Sequence, residues 1–342
     1  MRKNSISRII IRAFRTAALL SCMACGKVGT DEHTEWISLS GVPLQLTQSQ
    51  ETKGTGMTLV KTEGQLQASG FGIYGSYTSD GNTTLNVFSG TDAVRVYYDG
   101  SASAWKYDDR QPWLRTMHYR FRAYWPYYKA DGSTRVDVSH NSNASQFVVT
   151  YRLSDNFDLL VATATRYPIT EGTGTVIMPF RHALSALRFK IRFKADDAAA
   201  EKSDVLTSFH LKGLNVVGSL SYGDATGAEP ERMHWITSVF DSESELFRWD
   251  GSKTFTDSET ATVYDEDGVV FVIPQSIGKD SCFAHFKTRN GNGADNTVSL
   301  PADTFEPGHI YTYTFVVGTS SVDVKVDIQD WDEVQSNIDI NL

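Results

Sequence analysis

The stretch Leu187-Arg-Phe-Lys-Ile-Arg-Phe-Lys194 places an apolar residue at every odd position and a basic one at every even position. A side-chain period of two belongs to a β-strand with one buried face, because successive side chains on a strand point to opposite sides. The same alternation recurs at Val42, Leu44 and Leu46, in Leu85-Asn-Val-Phe88, Val94-Arg-Val-Tyr97 and Tyr119–Trp125, and in Val322–Ile328. Asp80-Gly81, Asp99-Gly100, Asp131-Gly132, Asp250-Gly251, Asp267-Gly268 and Asn290-Gly291 punctuate the chain, and such dipeptides favour tight hairpin turns. The expected class is therefore all-β, built from antiparallel sheets. The 26 Gly and the 12% of aromatic residues agree with strands and turns. One stretch, Ala195–Asp204, looks helical, but it is short and has no apolar face.

At 342 residues, with roughly 150 per domain, the chain has room for two domains, each large enough to bury a core. Glu171-Gly-Thr-Gly-Thr175 is a small polar break, after which Val176-Ile-Met-Pro-Phe180 begins a new apolar run. The expected arrangement is two tandem β-sandwiches with Greek-key-type sheets, over residues 36–178 and 179–342. Pro43 has no N–H for a ladder, which sends the first alternating run to a sheet edge or a strand start.

Residues 1–24 hold five bases (Arg2, Lys3, Arg8, Arg12, Arg15) and no acid, and end in the apolar run Thr16–Ala24. This is the order of an export signal, and the run falls short of the ~20 apolar residues a spanning helix needs. Bacterial lipoprotein signals end in this way at a lipid-bearing cysteine. Cys25 leaves an apolar core of nine residues and is preferred; the alternative, Cys22, leaves six but follows the better triplet Leu19-Leu20-Ser21. Residues 25–35 then read as a flexible tether. Cys22-Met-Ala-Cys25 also has C-x-x-C spacing, yet no βαβ context or second ligand pair accompanies it. Cys282 is expected to pack as a small buried apolar residue.

Charge and motifs narrow the chemistry. The chain carries 41 acidic against 32 basic residues, a net −9; without the five bases of the signal the balance is 27 against 41, a net −14. Nucleic acid, which calls for a basic footprint, is not an expected partner. Gly70-Phe-Gly-Ile-Tyr-Gly75 matches G-x-G-x-x-G literally, but Phe71, Ile73 and Tyr77 continue it as a strand, and a dinucleotide site needs a helix there. The eight histidines show no metal-ligand spacing, and Asp265-Glu-Asp and Asp330-Trp-Asp-Glu333 lack the EF-hand pattern. His182 reads as a packing residue at a strand start. With no P-loop and no nucleophile elbow, neither a cofactor, a metal nor an enzymatic role is expected.

The C-terminal run Val322–Ile328 is followed by a second, Ile338-Asp-Ile-Asn-Leu342. Such a tail has two uses: completing its own sheet, or adding a strand to the sheet of a neighbouring subunit.

Several stretches, in order, resemble the fimbrillins of Bacteroides-type bacteria, the Mfa-like and FimA-like lipoprotein pilins. They are Glu51-Thr-Lys-Gly-Thr55, Gly70–Gly75, Trp105-Lys-Tyr, Trp113, Tyr124-Trp-Pro-Tyr127 and Asp158-Leu-Leu-Val-Ala162. Phe180-Arg-His-Ala-Leu-Ser-Ala-Leu-Arg-Phe189, Val272-Ile-Pro-Gln275, Phe305-Glu-Pro-Gly-His-Ile-Tyr-Thr-Tyr313 and Ile328-Gln-Asp-Trp331 continue the series. The resemblance implies transthyretin-like sandwiches, outer-membrane anchoring by lipid, and assembly with other fimbrial subunits at the cell surface. It also implies that a protease removes the first strand, opening a groove for another subunit's terminal strand. On that basis Val42, Leu44 and Leu46 lie on the leaving strand, and Ile338, Ile340 and Leu342 on a candidate donor. Family pilins are cut after arginine, but no arginine lies between Arg15 and Arg95, so Lys53 and Lys61 are the candidate cleavage sites. Stalk, anchor and tip roles all remain open. An alternative class is a glycan-binding surface lipoprotein that does not polymerise, with Trp105, Trp113 and Trp125 as stacking platforms.

Overall fold

The computed structural model describes residues 34–330 apart from 44–59, 61, 80–83, 91, 130–131, 133, 142–145, 156, 195–202, 224–231, 242–245, 265–267, 290–294 and 319–321. In chain order the first elements are β1 (Leu39–Pro43), α1 (Glu63–Ser69), β2 (Phe71–Thr78), β3 (Leu85–Asn86), β4 (Val94–Asp99) and β5 (Ala104–Tyr107). Then come β6 (His118–Trp125), β7 (Val138–Asn141), β8 (Gln146–Arg152), β9 (Leu160–Arg166), α2 (Pro168–Glu171) and β10 (Val176–His182). The chain continues as β11 (Ser185–Phe193), β12 (Ser203–Lys212), β13 (Leu214–Gly223), β14 (Arg232–Asp241), β15 (Leu246–Thr256), β16 (Ala261–Thr262) and β17 (Val269–Val272). It ends in β18 (Ser276–Ile277), β19 (Phe283–Thr288), β20 (Asp295–Ser299), β21 (Asp303–Thr304), β22 (His309–Val317) and β23 (Val322–Asp330). The protein is all-β, as its alternation predicts.

The first sheet runs β1-β10-β9-β6-β2-β4-β5, with β3 added to β2. Its strands are antiparallel except for β1, which lies parallel to β10. A second sheet runs β14-β13-β8-β7, a third β15-β12-β19-β20, and a fourth β16-β11-β22-β23 with β17 paired to β11. Period two then sorts the side chains. On β2, Phe71 and Ile73 enter a first core with Phe121, Leu160 and Phe180, while Tyr74 enters a middle core with Tyr124, Phe147 and Tyr151. On β11, Leu187, Phe189 and Ile191 enter a third core with Phe209, Phe286 and Phe315, and the intervening Arg188, Lys190 and Arg192 are half-buried. Cys282 is wholly buried in this third core.

Gly213 links two of the layers. It separates β12, in the third sheet, from β13, in the second, and takes φ +86°, a conformation that suits glycine. A Cβ there would stand 1.9 Å from the Ser281 carbonyl oxygen. Beyond this corner β13 pairs with β8 from Val217↔Arg152 to Gly223↔Gln146. A strand from before residue 178 is thereby joined to one from after it, and residue 178 itself falls within β10.

Candidate functional site

The sequence points to the first strand as the chemically informative element. Along Ile37–Pro43 the inward residues are the odd ones: Ile37 is 1% exposed, Leu39 is 3% exposed and Gly41 is buried. All but the glycine are members of the first core. Gly41 is required by close approach, since a Cβ would lie 2.9 Å from Phe71 Cε1 and 3.2 Å from Phe180 Cε2. Val42 sits on the other phase, half-buried, with Pro179 as its register partner. The burial that seats the strand thus comes from Ile37 and Leu39.

Backbone contacts flank this strand unequally. From Leu39 to Pro43 its one ladder neighbour among the described residues is β10, in register from Leu39↔Val176 to Pro43↔Phe180. Ahead of β1, the Val176 amide donates to the Ser38 carbonyl at 2.8 Å, and the Thr175 hydroxyl donates to Ser38 Oγ at 3.2 Å. On the opposite side the Ile37 amide donates to the Gln111 carbonyl at 2.8 Å, and the Tyr107 hydroxyl donates to the Ile37 carbonyl at 2.9 Å. Trp36 bridges Pro112 and lies under the Arg110 guanidinium, 5.4 Å from the ring centroid. Pro43 is where sequence reasoning put it, at a sheet edge.

Val60 is anchored by a buried carboxylate. Its amide donates to Asp158 Oδ2 at 3.0 Å, and His182 Nδ1 lies 3.0 Å from the other oxygen of the same carboxylate. Asp158 is 2% exposed and His182 7%. The histidine read as a packing residue is half of a buried polar pair, and the pair fixes the backbone at Val60. Two residues on, α1 begins with a capping box: Thr62 Oγ1 accepts from the Gln65 amide, and Gln65 Oε1 accepts from the Thr62 amide. Leu66 of this helix is fully buried, and its carbonyl accepts from Trp125 Nε1 at 3.2 Å. Sequence reasoning missed α1, although the pattern Thr62-x-x-Gln65 announces it.

Of the sequence-predicted site residues, Val42 is seen in β1. Leu44, Leu46, Lys53, Lys61, Cys22, Cys25, Ile338, Ile340 and Leu342 lie outside the described residues. The three tryptophans proposed as platforms belong to the first core or its edge. Trp113 is 7% and Trp125 9% exposed, and half-buried Trp105 packs on Phe71 and Tyr98 with centroids 5.2 and 5.5 Å away. Trp113 and Trp125 are thereby packed into the core and offer no open ring face for a sugar. Among the described residues, no group of three or more His, Cys, Asp or Glu is placed to hold a metal ion.

Residues 58–331 match the fimbrillin-like family, which is more than half of the 342-residue chain. The chain belongs to the fimbrillin-like family. A crystal structure of a fimbrial protein from Bacteroides vulgatus superposes with a TM-score of 0.62 at 16% identity, covering 86% of this chain and 99% of that one. A structure assigned to cell adhesion from Bacteroides ovatus gives 0.49 at 19% identity, over 87% and 98% of the two chains. No curated protein matches the sequence. In this fimbrillin-like chain the C-terminal run has a clear place as far as Asp330. β23 pairs antiparallel with β22 from Val317↔Val322 to His309↔Asp330 and so completes its own sheet. Val322, Val324 and Val326 pack against the third core, and the side chains between them, Asp323, Lys325 and Asp327, are exposed.

Proposed function

We propose that this fimbrillin-like protein is a structural or adhesive subunit of cell-surface fimbriae, exported as a lipoprotein and joined to other subunits by strand exchange, with β1 the strand that leaves. Lipid on Cys25, or on Cys22, would hold it at the outer membrane during assembly. The observation that carries the reading is the seat of β1. It is an edge strand, parallel to one neighbour, inserted over Phe71 and Phe180, and connected to the rest of the fold through residues 44–59. A cut at Lys53 or Lys61 separates β1 from α1; after a cut at Lys53, Val60 stays on the α1 side, tied to Asp158.

Once β1 is gone, the edge of β10 and the first core lie open along the same line. A strand with apolar residues at alternate positions fits that opening by both main chain and side chain. Ile338, Ile340 and Leu342 supply such a strand. The test is the N-terminal residue of protein recovered from cells, read together with gel laddering after mild heating. A start after Lys53 or Lys61 with a ladder, both abolished in the double variant Lys53→Gln/Lys61→Gln, is the expected result. A lipidated cysteine as the N-terminus of polymerised protein refutes β1 loss, and an unchanged ladder after deletion of 337–342 refutes the donor assignment.

A further inference from the structure

Trp36 and the segment after β5 build an apolar corner on the surface. Trp36 bridges Pro112 antiparallel, and the Ile37 amide donates to the Gln111 carbonyl at 2.8 Å. A period of two divides both segments in the same way. Ile37 and Trp113 enter the first core, while Trp36, Pro112 and Leu114 face solvent. Trp36 is 42% and Leu114 41% exposed. Arg110 joins them on that side, its guanidinium 5.4 Å from the Trp36 ring centroid. These four residues share one outward surface.

Their side-chain types suit a lipid–water interface. An indole settles at the level of the headgroups, and an arginine lays its stem on apolar surface while its head reaches a phosphate. The surrounding charge is mixed. Glu35 and Arg115 are exposed, and Asp108 and Asp109 precede Arg110, accepting the Tyr97 hydroxyl at 3.4 Å and the Ser89 hydroxyl at 2.6 Å. With three acids against two bases, the corner has no general attraction for an anionic surface. What it offers is apolar area and one guanidinium, held on a ring face, for the phosphodiester that every phospholipid headgroup carries.

The chain ahead of Trp36 names the occupant. This step rests on the lipoprotein reading proposed above: lipid on Cys25 leaves only residues 26–35 between the anchor and Trp36. A flexible segment of that length spans about 20 Å on average. The anchor therefore presents a bilayer to the corner at a millimolar-scale effective concentration, so a small contact suffices. A lipid chain also holds a protein more firmly when a second membrane signal accompanies it. We infer that Trp36, Arg110, Pro112 and Leu114 form a bilayer-contact patch that docks the uncut subunit on the membrane carrying its lipid, with the indole and Leu114 among the headgroups and Arg110 on a lipid phosphate. Trp36 lies ahead of β1, so the cut that frees β1 also takes the indole out of the patch.

The test uses the chain from Cys25 to Leu342, coupled through the Cys25 thiol to a maleimide lipid in phosphatidylcholine vesicles. Cys282 is wholly buried and does not compete for the reagent. Lipids spin-labelled near the headgroup quench indole emission, and the share due to Trp36 is the difference between the parent and Trp36→Phe. That share should be quenched ~2-fold or more on the vesicles, and about 0.5 M salt should leave the quenching in place because the contact is apolar. Leu114→Asp, a surface change, should at least halve the quenching, and Arg110→Glu should weaken it in the same direction. The inference is overturned if Trp36 is no more quenched on vesicles than off them, or if a folded Leu114→Asp is quenched like the parent. It is equally overturned if quenching requires added phosphatidylglycerol and disappears in salt, which is electrostatic adsorption. Labelled palmitate fed to cells, with Cys25→Ala and Cys22→Ala as controls, reads the anchor separately. No label refutes the lipoprotein reading and the patch with it, whereas label without quenching refutes the patch alone.

Discussion

Truncating Leu39 to alanine should loosen β1 without unfolding the remainder of the chain. Leu39 is 3% exposed in the first core, and a buried Leu→Ala change costs about 2.7–5 kcal/mol, the lost transfer energy plus the cavity left behind. Because β1 is hydrogen-bonded in a ladder to β10 alone, an open state without β1 keeps the other sheets intact. A loss of ~3 kcal/mol then raises the open population by ~150-fold, at about 1.4 kcal/mol per factor of ten. The reporter is the Val176 amide, which donates to Ser38 in the closed state at 2.8 Å. Its hydrogen exchange should accelerate by ~100-fold or more, while the amides of Phe189 and Phe315 in the fourth sheet keep their rates. Val42→Ala is the matched control. Its side chain is half-buried on the opposite phase, so the cost is roughly 1 kcal/mol and the acceleration ~5-fold. If the β11 and β22 amides accelerate in step with Val176, β1 does not open as a unit and the reasoning behind strand exchange fails.

Gly213→Ala tests the corner between β12 and β13. With φ at +86° and a Cβ 1.9 Å from the Ser281 oxygen, the change should cost more than about 1 kcal/mol and lower the Tm by ~3 °C or more by calorimetry; an unchanged Tm would mean the corner relaxes freely. Alkaline pH should also destabilise the chain. Burial pushes the Cys282 thiol from its ordinary 9.0 and the Tyr74 phenol from 10.0 up to about 12, and raises Tyr124, Tyr151 and Tyr313 as well. These groups contribute stability that is fully present below their unfolded values. Between about pH 9 and 12 the unfolded chain sheds protons that the native state holds, so stability falls as pH rises. Urea midpoints should hold steady to about pH 8.5 and then decline, and a constant midpoint through pH 11 would count against the buried, neutral state of these groups.

The parts legible in the sequence are those set by local period. Leu187–Lys194 and Val322–Ile328 became β11 and β23 because each alternates without interruption. Asp99-Gly100 became the turn between β4 and β5 for the same local reason. Asp250-Gly251, the same turn chemistry, lies inside β15, where long pairing with β12 absorbs it as a register irregularity between Leu206 and Ser208. The core phase of the first strand was obscured by Gly41. Its missing side chain breaks the series Ile37, Leu39, Gly41 and leaves Val42 looking like the apolar phase. The Asp158–His182 pair and the Trp36–Arg110 stack join residues distant in sequence, and the fold alone brings them together.

In the proposed strand exchange, release of β1 depends on connectivity more than on strand strength. Full burial of Ile37 and Leu39 contributes about 1.5–3 kcal/mol each, so together they hold the strand by ~3–6 kcal/mol. For a free peptide that range corresponds to a Kd between several millimolar and tens of micromolar. Tethered through residues 44–59, β1 competes at an effective concentration on the millimolar scale, and with the hydrogen bonds to Gln111, Tyr107 and Val176 added to its apolar burial it keeps the groove filled. Cut from α1, the same strand is a weak ligand that dilution removes, and the parallel, one-sided ladder with β10 adds little directional hold. In that proposed exchange, a replacement strand carried by a neighbouring subunit does not need stronger contacts residue for residue. It needs to extend past Pro43, to fill more of the groove than Ile37 and Leu39 do, and to arrive after the cut.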